Sequence, residues 1–426
     1  MKVLVIGGGG REHTLAWKLK RSKFVNKLYT APGNAGMASI SQCVPIKPDD
    51  IDGLIELVKN EEIDISIVGP EAPLDMGIAD RFENEGLRIF GPTKEAAKIE
   101  GSKSFAKDIM KKYGVPTAQS STFEDPEDAR DYIKEMGGRM VVKADGLAAG
   151  KGAIPCDDEI EALEAVDALI QKFPEAARKI LVEEYLDGEE ASVLAFCDGK
   201  SVLPLYSAQD HKRAYDGDRG PNTGGMGAYS PAPVVTDDLS TRIYDEILVP
   251  TVQGLEKEGI PYRGILYAGL MITEEGPKVI EFNCRFGDPE AQAVIPRLVT
   301  DIMRPILACL EGNLDRIKLR WSKNKAVCVV MASGGYPGSY EKGYPIKGIE
   351  DAEKLDDVIV FHAGTRLNED GEVVTNGGRV LGVTALDTTI DGSIDLVYRA
   401  VKRIDFKNAQ YRKDIGKKAK YHLECG

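Results

Sequence analysis

The chain opens on a short apolar run at residues 2–6, KVLVI, closed by Gly7-Gly8-Gly9-Gly10. Helix-spaced His13, Leu15, Ala16 and Leu19 follow. The order strand, glycine turn, helix is the start of a doubly wound α/β unit. Strand-like runs recur at 27–30, 63–68 and 87–90, and an amphipathic helix is expected over 51–60. This alternation predicts a parallel sheet over about the first 90 residues. Ser102 then stands where a helix N-cap belongs, with Phe105, Ile109, Met110 and Tyr113 along one side and Gly114 and Pro116 as the stop.

Beyond that helix, 140–143 predicts a strand. Asp157 is expected to begin a helix whose stripe Ile160, Leu163, Val166, Leu169, Ile170 and Phe173 faces a core. Residues 180–183 and 191–196 predict strands joined by the turn Leu186-Asp187-Gly188, and 209–233 is loop-rich. A hairpin is expected from 267–272 and 278–283 around Glu274-Glu275-Gly276. From 326 short strands return, at 326–331, 357–362, 372–375 and 379–384, before a final helix over about 391–404.

Composition narrows the class. At about 150 residues per domain, 426 residues suggest three domains. A 42 % hydrophobic share argues for a folded chain, and a net charge of −13 argues against a nucleic-acid polymer as partner. Seven cysteines are odd in number and scattered, with no CxxC pair, which fits reduced cytoplasmic usage and not a disulfide scaffold or zinc site. The apolar run at the N-terminus is too short for a signal peptide, and no apolar stretch is long enough to predict a membrane span. Glycine is the unusual figure, 45 residues, and its clusters mark the candidate chemistry.

Gly7 and Gly9 fit a dinucleotide fingerprint, but Glu12 takes the third glycine position, and YTAPGNAG stands where the ribose-binding acid should end the second strand. A nicotinamide dehydrogenase is thereby disfavoured. A helix start with Arg11 beside it still suits a phosphate on a small substrate. In KADGLAAGKG, residues 143–152, the glycine spacing is one short for a P-loop, and Gly152 replaces its Ser/Thr. A small-residue hairpin carrying Lys143 and Lys151 can nevertheless lie over nucleotide phosphates. Glu183-Glu184-Tyr185-Leu186 ends one strand and Glu189 opens the next, a junction suited to an adenine edge and ribose hydroxyls. In EFNCRFGDPE, residues 281–290, strand alternation puts Glu281 and Asn283 on one face with Phe282 behind them. A carboxylate beside an amide oxygen suits magnesium that also binds nucleotide phosphates.

These strings, together with SKSFAK (102–107), EEYLDGEE (183–190), DHKRAYDGDRGPNTGGMGAYSP (210–231) and TNGGRVLGVTA (375–385), resemble the phosphoribosylamine–glycine ligase family of the ATP-grasp superfamily over essentially the whole chain. The resemblance implies an N-terminal doubly wound parallel-sheet domain (1–100), a central ATP-grasp fold of two α+β subdomains (101–325, with about 117–190 as a mobile lid), and a small C-terminal mixed α/β domain (326–426). It implies ligation of glycine to 5-phosphoribosylamine with ATP, through glycyl phosphate, in purine biosynthesis. Another ATP-grasp carboxylate–amine ligase or a carboxylase is the alternative. By motif position, Lys103, Lys143, Gly146 and Gly150 would contact ATP phosphates, and Glu183, Tyr185, Leu186 and Glu189 would hold adenine and ribose. Glu281 and Asn283 would hold Mg2+ or Mn2+. Asp210, Lys212 and Arg285 would line the glycine and γ-phosphate region. Gly9, Arg11, Glu12, Gly69, Pro70 and Glu71 would bind phosphoribosylamine, and the turn Pro221, Asn222, Thr223, Gly224, Gly225 would close over the substrates. A monomer is the first expectation, a dimer the alternative.

Overall fold

The computed structural model describes residues 1–148 and 151–425. The N-terminal sheet is wholly parallel, in the spatial order Gln42–Cys43, Lys27–Pro32, Lys2–Gly7, Ile65–Val68, Ile89–Phe90. Its central strand is sealed on both faces, with Val3, Leu4, Val5 and Ile6 at 0 % exposure, as the continuous apolar run requires. Strand order reverses between Lys2–Gly7 and Ile65–Val68. Their carboxyl ends therefore open a crevice at a topological switch point. The segments Gly8-Gly9 and Gly69-Pro70 leave the sheet there.

A second sheet is antiparallel, in the order Ser120–Phe123, Ile180–Glu184, Met140–Ala144, Ala153–Cys156, and occupies the segment expected to be a lid. It packs its own core (Val142, Val166, Leu169, Val182) against the helices Pro126–Met136 and Glu159–Lys172. The second helix corrects the expected stripe. Asp158, not Asp157, caps it by accepting the Glu161 N–H, and Ile160 is 68 % exposed. The buried face is Ala162, Ala165, Val166 and Leu169. Ile160 lies two residues before Ala162, about 200° round the helix, and so faces outward.

The third sheet runs Val202–Pro204, Glu189–Asp198, Arg263–Thr273, Gly276–Asn283. Its last two strands form the expected hairpin. Glu189–Asp198 follows Ile180–Glu184 in sequence but pairs in a different sheet, so residues 185–188 cross between subdomains and do not close a hairpin.

The C-terminal sheet runs Gln209–Asp210, Gly227–Ser230, Lys325–Ala332, Arg379–Asp387, Val358–His362. Its first two strands come from the loop-rich stretch, so this sheet straddles the boundary expected at 326. The helix Ile390–Val401 covers it. A further helix, Lys417–Cys425, follows the one expected to be last; its lysine-rich sequence carries little apolar periodicity. Among the described residues no helix is long and apolar enough to cross a membrane. Cys43, Cys156, Cys197, Cys284, Cys309 and Cys328 are free thiols.

Candidate active site

A cavity of about 440 Å³ lies where the four sheets meet. It brings together Arg11, Glu71, Lys103, Lys143, Glu183, Tyr185, Leu186, Asp210, Lys212, Asn222, Thr223, Gly224, Glu281, Asn283 and Arg285 from the expected set.

Glu281 is its electrostatic centre. The ladder between Arg263–Thr273 and Gly276–Asn283 slips at one point, pairing Gly269 with Glu281 and Leu270 with Val279. Ile280 is thus the extra residue of a β-bulge. The bulge breaks alternation, so Ile280 and Glu281 both line the cavity; Phe282, though buried in the core, also meets the cavity wall. The freed Ile280 carbonyl accepts a hydrogen bond from Lys143 Nζ at 3.1 Å. Burial alone would push the Glu281 carboxyl up, but Lys212, Lys143, Lys103 and Arg285 outweigh it and hold it below its ordinary range. An ionised carboxylate beside the Asn283 amide oxygen is a fitting donor pair for Mg2+. Among the described residues no group of three or more His, Cys, Asp or Glu is placed to hold a metal.

The lysines are engaged by the protein. Lys143 Nζ is 2.8 Å from Glu183 Oε2, and Lys107 Nζ is 3.2 Å from Glu183 Oε1. Burial, helped by Lys143, pulls the Lys107 ammonium down to about 8 against the pull of Glu183. Lys103 Nζ donates to the carbonyls of Gly146 (3.2 Å) and Asp145 (3.4 Å). Gly146 itself does not line the cavity; its N–H donates to Ala176 O at 3.1 Å. Gly150 lies outside the described residues.

At the other wall, Lys212 Nζ pairs with Glu190 at 2.8 Å. Burial opposes its charge, but Glu190 and Glu281 more than offset this and raise its pKa. Asp210 is pushed well up by burial and by neighbouring Glu290, whose Oε1 accepts the Tyr267 hydroxyl at 2.8 Å. Arg285 donates to Glu71 (Nε, 3.1 Å) and, through Nη2, to Glu100 (3.1 Å) and Asn283 Oδ1 (3.1 Å).

Several expected residues sit outside the cavity. Glu189 begins its strand facing away and its carboxylate meets His422 Nε2 at 2.9 Å; its neighbour Glu190 faces in. Glu12 closes a capping box, accepting the Gly9 N–H at 2.6 Å, and binds Arg11 Nε at 2.6 Å. Gly7, at φ +125°, gives this carboxylate room, since a Cβ there would meet Glu12 Cγ at 2.5 Å. The Arg11 N–H donates to Asp288 at 3.2 Å, so the helix start expected to take an anion is already met by two protein carboxylates. Gly9, Gly69, Pro70, Pro221 and Gly225 flank the cavity without lining it.

Lys107, Glu190, Asp288, Glu290 and Arg379 were not singled out from the sequence, although each lies inside a string already quoted. Their side-chain direction was the missing fact. Glu100, buried against Arg285, has no local signal at all.

The chain is similar to known proteins in sequence and in fold. The phosphoribosylglycinamide synthetase profiles match residues 1–100 (N domain), 101–291 (ATP-grasp (A) domain) and 326–418 (C domain). The phosphoribosylamine--glycine ligase of Synechocystis is 52 % identical over 423 residues, covering 98 % of this chain and 100 % of that one. The crystal structure of phosphoribosylamine--glycine ligase from Thermotoga maritima superposes with a TM-score of 0.83 at 32 % identity, covering 97 % of this chain and 100 % of that one. The biotin carboxylase domain of the Hydrogenobacter thermophilus 2-oxoglutarate carboxylase, in complex with MgADP, ADP and bicarbonate, shares the fold: TM-score 0.73, 18 % identity, covering 96 % and 91 % of the two chains. With all three profiles in order and half of its residues shared with a full-length relative, the chain belongs to the phosphoribosylglycinamide synthetase family.

Proposed function

We infer that the chain ligates glycine to 5-phosphoribosylamine at the expense of ATP, yielding glycinamide ribonucleotide, ADP and phosphate in purine biosynthesis. Family membership over the whole chain supports this reading. The structural observation that carries it is the gathering of Lys103, Lys143 and Lys212 around the Glu281 carboxylate, at the mouth of the N-terminal crevice.

The residues divide the work by position. Tyr185 and Leu186, on the crossing between subdomains, form the adenine wall, with Glu190 as the inward carboxylate for the ribose. Lys103 and Lys143 lie where the ATP phosphates would come, and each can exchange its present oxygen acceptors for phosphoryl oxygens. Glu281 and Asn283 would hold Mg2+, with Mn2+ as a substitute. The metal would neutralise phosphate charge as it develops.

Glycine's carboxylate is a poor acyl donor. Its oxygen attacks the γ-phosphorus, ADP leaves, and the product is glycyl phosphate. The sugar amine then attacks the carbonyl carbon, the amine loses a proton, and phosphate leaves. Lys212 and Arg285 lie where they would stabilise the charge on the transferred phosphoryl group. The small-residue hairpin after Lys143 and the turn at 221–225 would keep water from the acyl phosphate. The proposed domains are 1–100, 101–325 with a lid at about 117–190, and 326–426. The enzyme is proposed to be a cytoplasmic monomer.

The test is coupled ADP release with ATP, glycine and freshly made phosphoribosylamine, each omitted in turn. Turnover should require all three. ADP release driven by bicarbonate or a different amino acid would replace this reading with another ATP-grasp ligase or a carboxylase.

A further inference from the structure

The C-terminal sheet sends one cation into the cavity. Arg379 opens the strand Arg379–Asp387, and its Nη1 donates to main-chain carbonyls far away in sequence: Gly224 at 2.5 Å, Asp288 at 2.6 Å and Gly225 at 3.4 Å. The same nitrogen lies 3.4 Å from the Asp288 carboxylate. A Cβ on Gly224 would sit 3.0 Å from the guanidinium carbon, so glycine there lets the turn close on the arginine. Tyr336, also from the C-terminal domain, accepts the Gly224 N–H at its hydroxyl, 3.2 Å away. Both main-chain polar groups of Gly224, in the proposed substrate turn, are therefore met by side chains of another domain. Thr223 is fastened on the opposite side, through its N–H and its hydroxyl, to Lys212 O, each at 2.8 Å.

Asp288 extends this contact. Its carboxylate accepts the Arg11 N–H at 3.2 Å and the Gln292 amide at 2.9 Å. Burial would raise its pKa, but Arg379 and Arg11 outweigh burial and keep it ionised. One carboxylate so links the N-terminal crevice, the loop after the Glu281 strand and the C-terminal sheet.

We propose that Arg379 is a positioning residue for the ligation: together with Tyr336 it fixes the turn at 223–225 and the Asp288–Arg11 contact, and so shapes the end of the cavity that receives the phosphorylated sugar amine. This rests on the ligase reading above. Among the described residues no hydrogen bond or ion pair joins Arg379 to the proposed nucleotide end at Tyr185, Leu186 and Lys143; its polar partners are Gly224, Gly225 and Asp288. The proposal therefore separates the substrates. Loss of the guanidinium weakens capture of phosphoribosylamine and leaves ATP capture in place.

Steady-state kinetics of Arg379→Gln, Arg379→Lys and Tyr336→Phe test it, with thermal melting of each variant. Arg379→Gln should raise KM for phosphoribosylamine about tenfold to a hundredfold, the loss of a charged hydrogen-bonding group, with KM for ATP within about twofold of wild type. Arg379→Lys should recover part of the loss, since an ammonium reaches a carbonyl but lacks the planar fork. Tyr336→Phe should raise the same KM about threefold, the loss of one neutral hydrogen bond, and it decides the matter if Arg379→Gln does not fold. An unchanged KM for phosphoribosylamine, or an equal rise for ATP, overturns the proposal. A wild-type protein inactive with glycine and phosphoribosylamine overturns the ligase reading instead.

Discussion

Lys143 Nζ stands 2.8 Å from Glu183 Oε2, with each side chain only 3 % exposed. A pair this well sealed carries both a structural and a catalytic expectation, and the two can be separated. Lys143→Ala leaves Glu183 with Lys107 alone, and removes a cation from the phosphate end. It should lower kcat/KM for ATP about tenfold to a hundredfold, about 1.5–3 kcal/mol, and lower the melting temperature. The triple variant Lys107→Met, Lys143→Met, Glu183→Leu should recover melting temperature but not activity, because apolar residues of similar volume then replace every member of the buried cluster at little cost. Activity returning with stability would remove Lys143 from the site.

Glu281 carries the metal assignment. Glu281→Gln keeps the shape but removes the charge that Lys103, Lys143 and Lys212 surround. Turnover should fall to near background at ordinary magnesium and recover in part only when magnesium is raised by orders of magnitude. Full activity at the wild-type magnesium requirement would place the metal elsewhere.

The sequence made the strand–loop chemistry legible because strand alternation is a local rule. Glu281 and Asn283 both line the cavity as their spacing predicts, and Phe282, expected behind them, is buried but touches the cavity as well. Alternation alone also fixes that Glu189 and Glu190 cannot face the same way, but not which of them faces the ligand. That choice depends on pairing with Arg263–Thr273, a tertiary fact. Lys107 and Arg379 were hidden for a related reason: one lies on a helix and the other at a strand start, and only the packing of sheets turns them toward the cavity. The turn expected at 186–188 is a crossing between two sheets, which local sequence does not reveal because it carries no sign of which sheet a strand joins.

Acid should destabilise the junction between the N- and C-terminal domains. His13 Nδ1 accepts the His362 N–H at 2.8 Å, so His13 must be neutral there. Burial, with His362 nearby, lowers His13 to about 3, and burial lowers His362 to about 4. Both groups bind fewer protons folded than unfolded at mildly acidic pH. Their contribution to stability is complete above the unfolded value near 6.5 and is lost as pH falls from there toward the folded values. At pH 5 this amounts to about 2 kcal/mol for each histidine. Urea midpoints measured from pH 7 to pH 5 should fall accordingly, and His13→Gln with His362→Gln should flatten the slope. A wild-type midpoint that does not move over this range would mean that the junction opens before the histidines titrate.

The strand Glu189–Asp198 offers the sharpest pair of variants, because adjacent carboxylates face opposite environments. Glu190 lines the cavity and holds Lys212 at 2.8 Å, whereas Glu189 meets His422 outside it. Glu190→Gln removes the carboxylate proposed for the ribose and the partner that keeps Lys212 in place. It should raise KM for ATP about tenfold, the loss of a hydrogen bond to a charged group, and lower kcat as well. Glu189→Gln should change KM for ATP by less than about twofold, since an exposed contact on the far face is worth under about 1 kcal/mol. If Glu189→Gln were instead the damaging variant, the outward carboxylate would have to swing into the cavity when the nucleotide binds. The contact with His422 would then be one that ATP displaces, and His422→Ala would tighten ATP binding instead of leaving it unchanged.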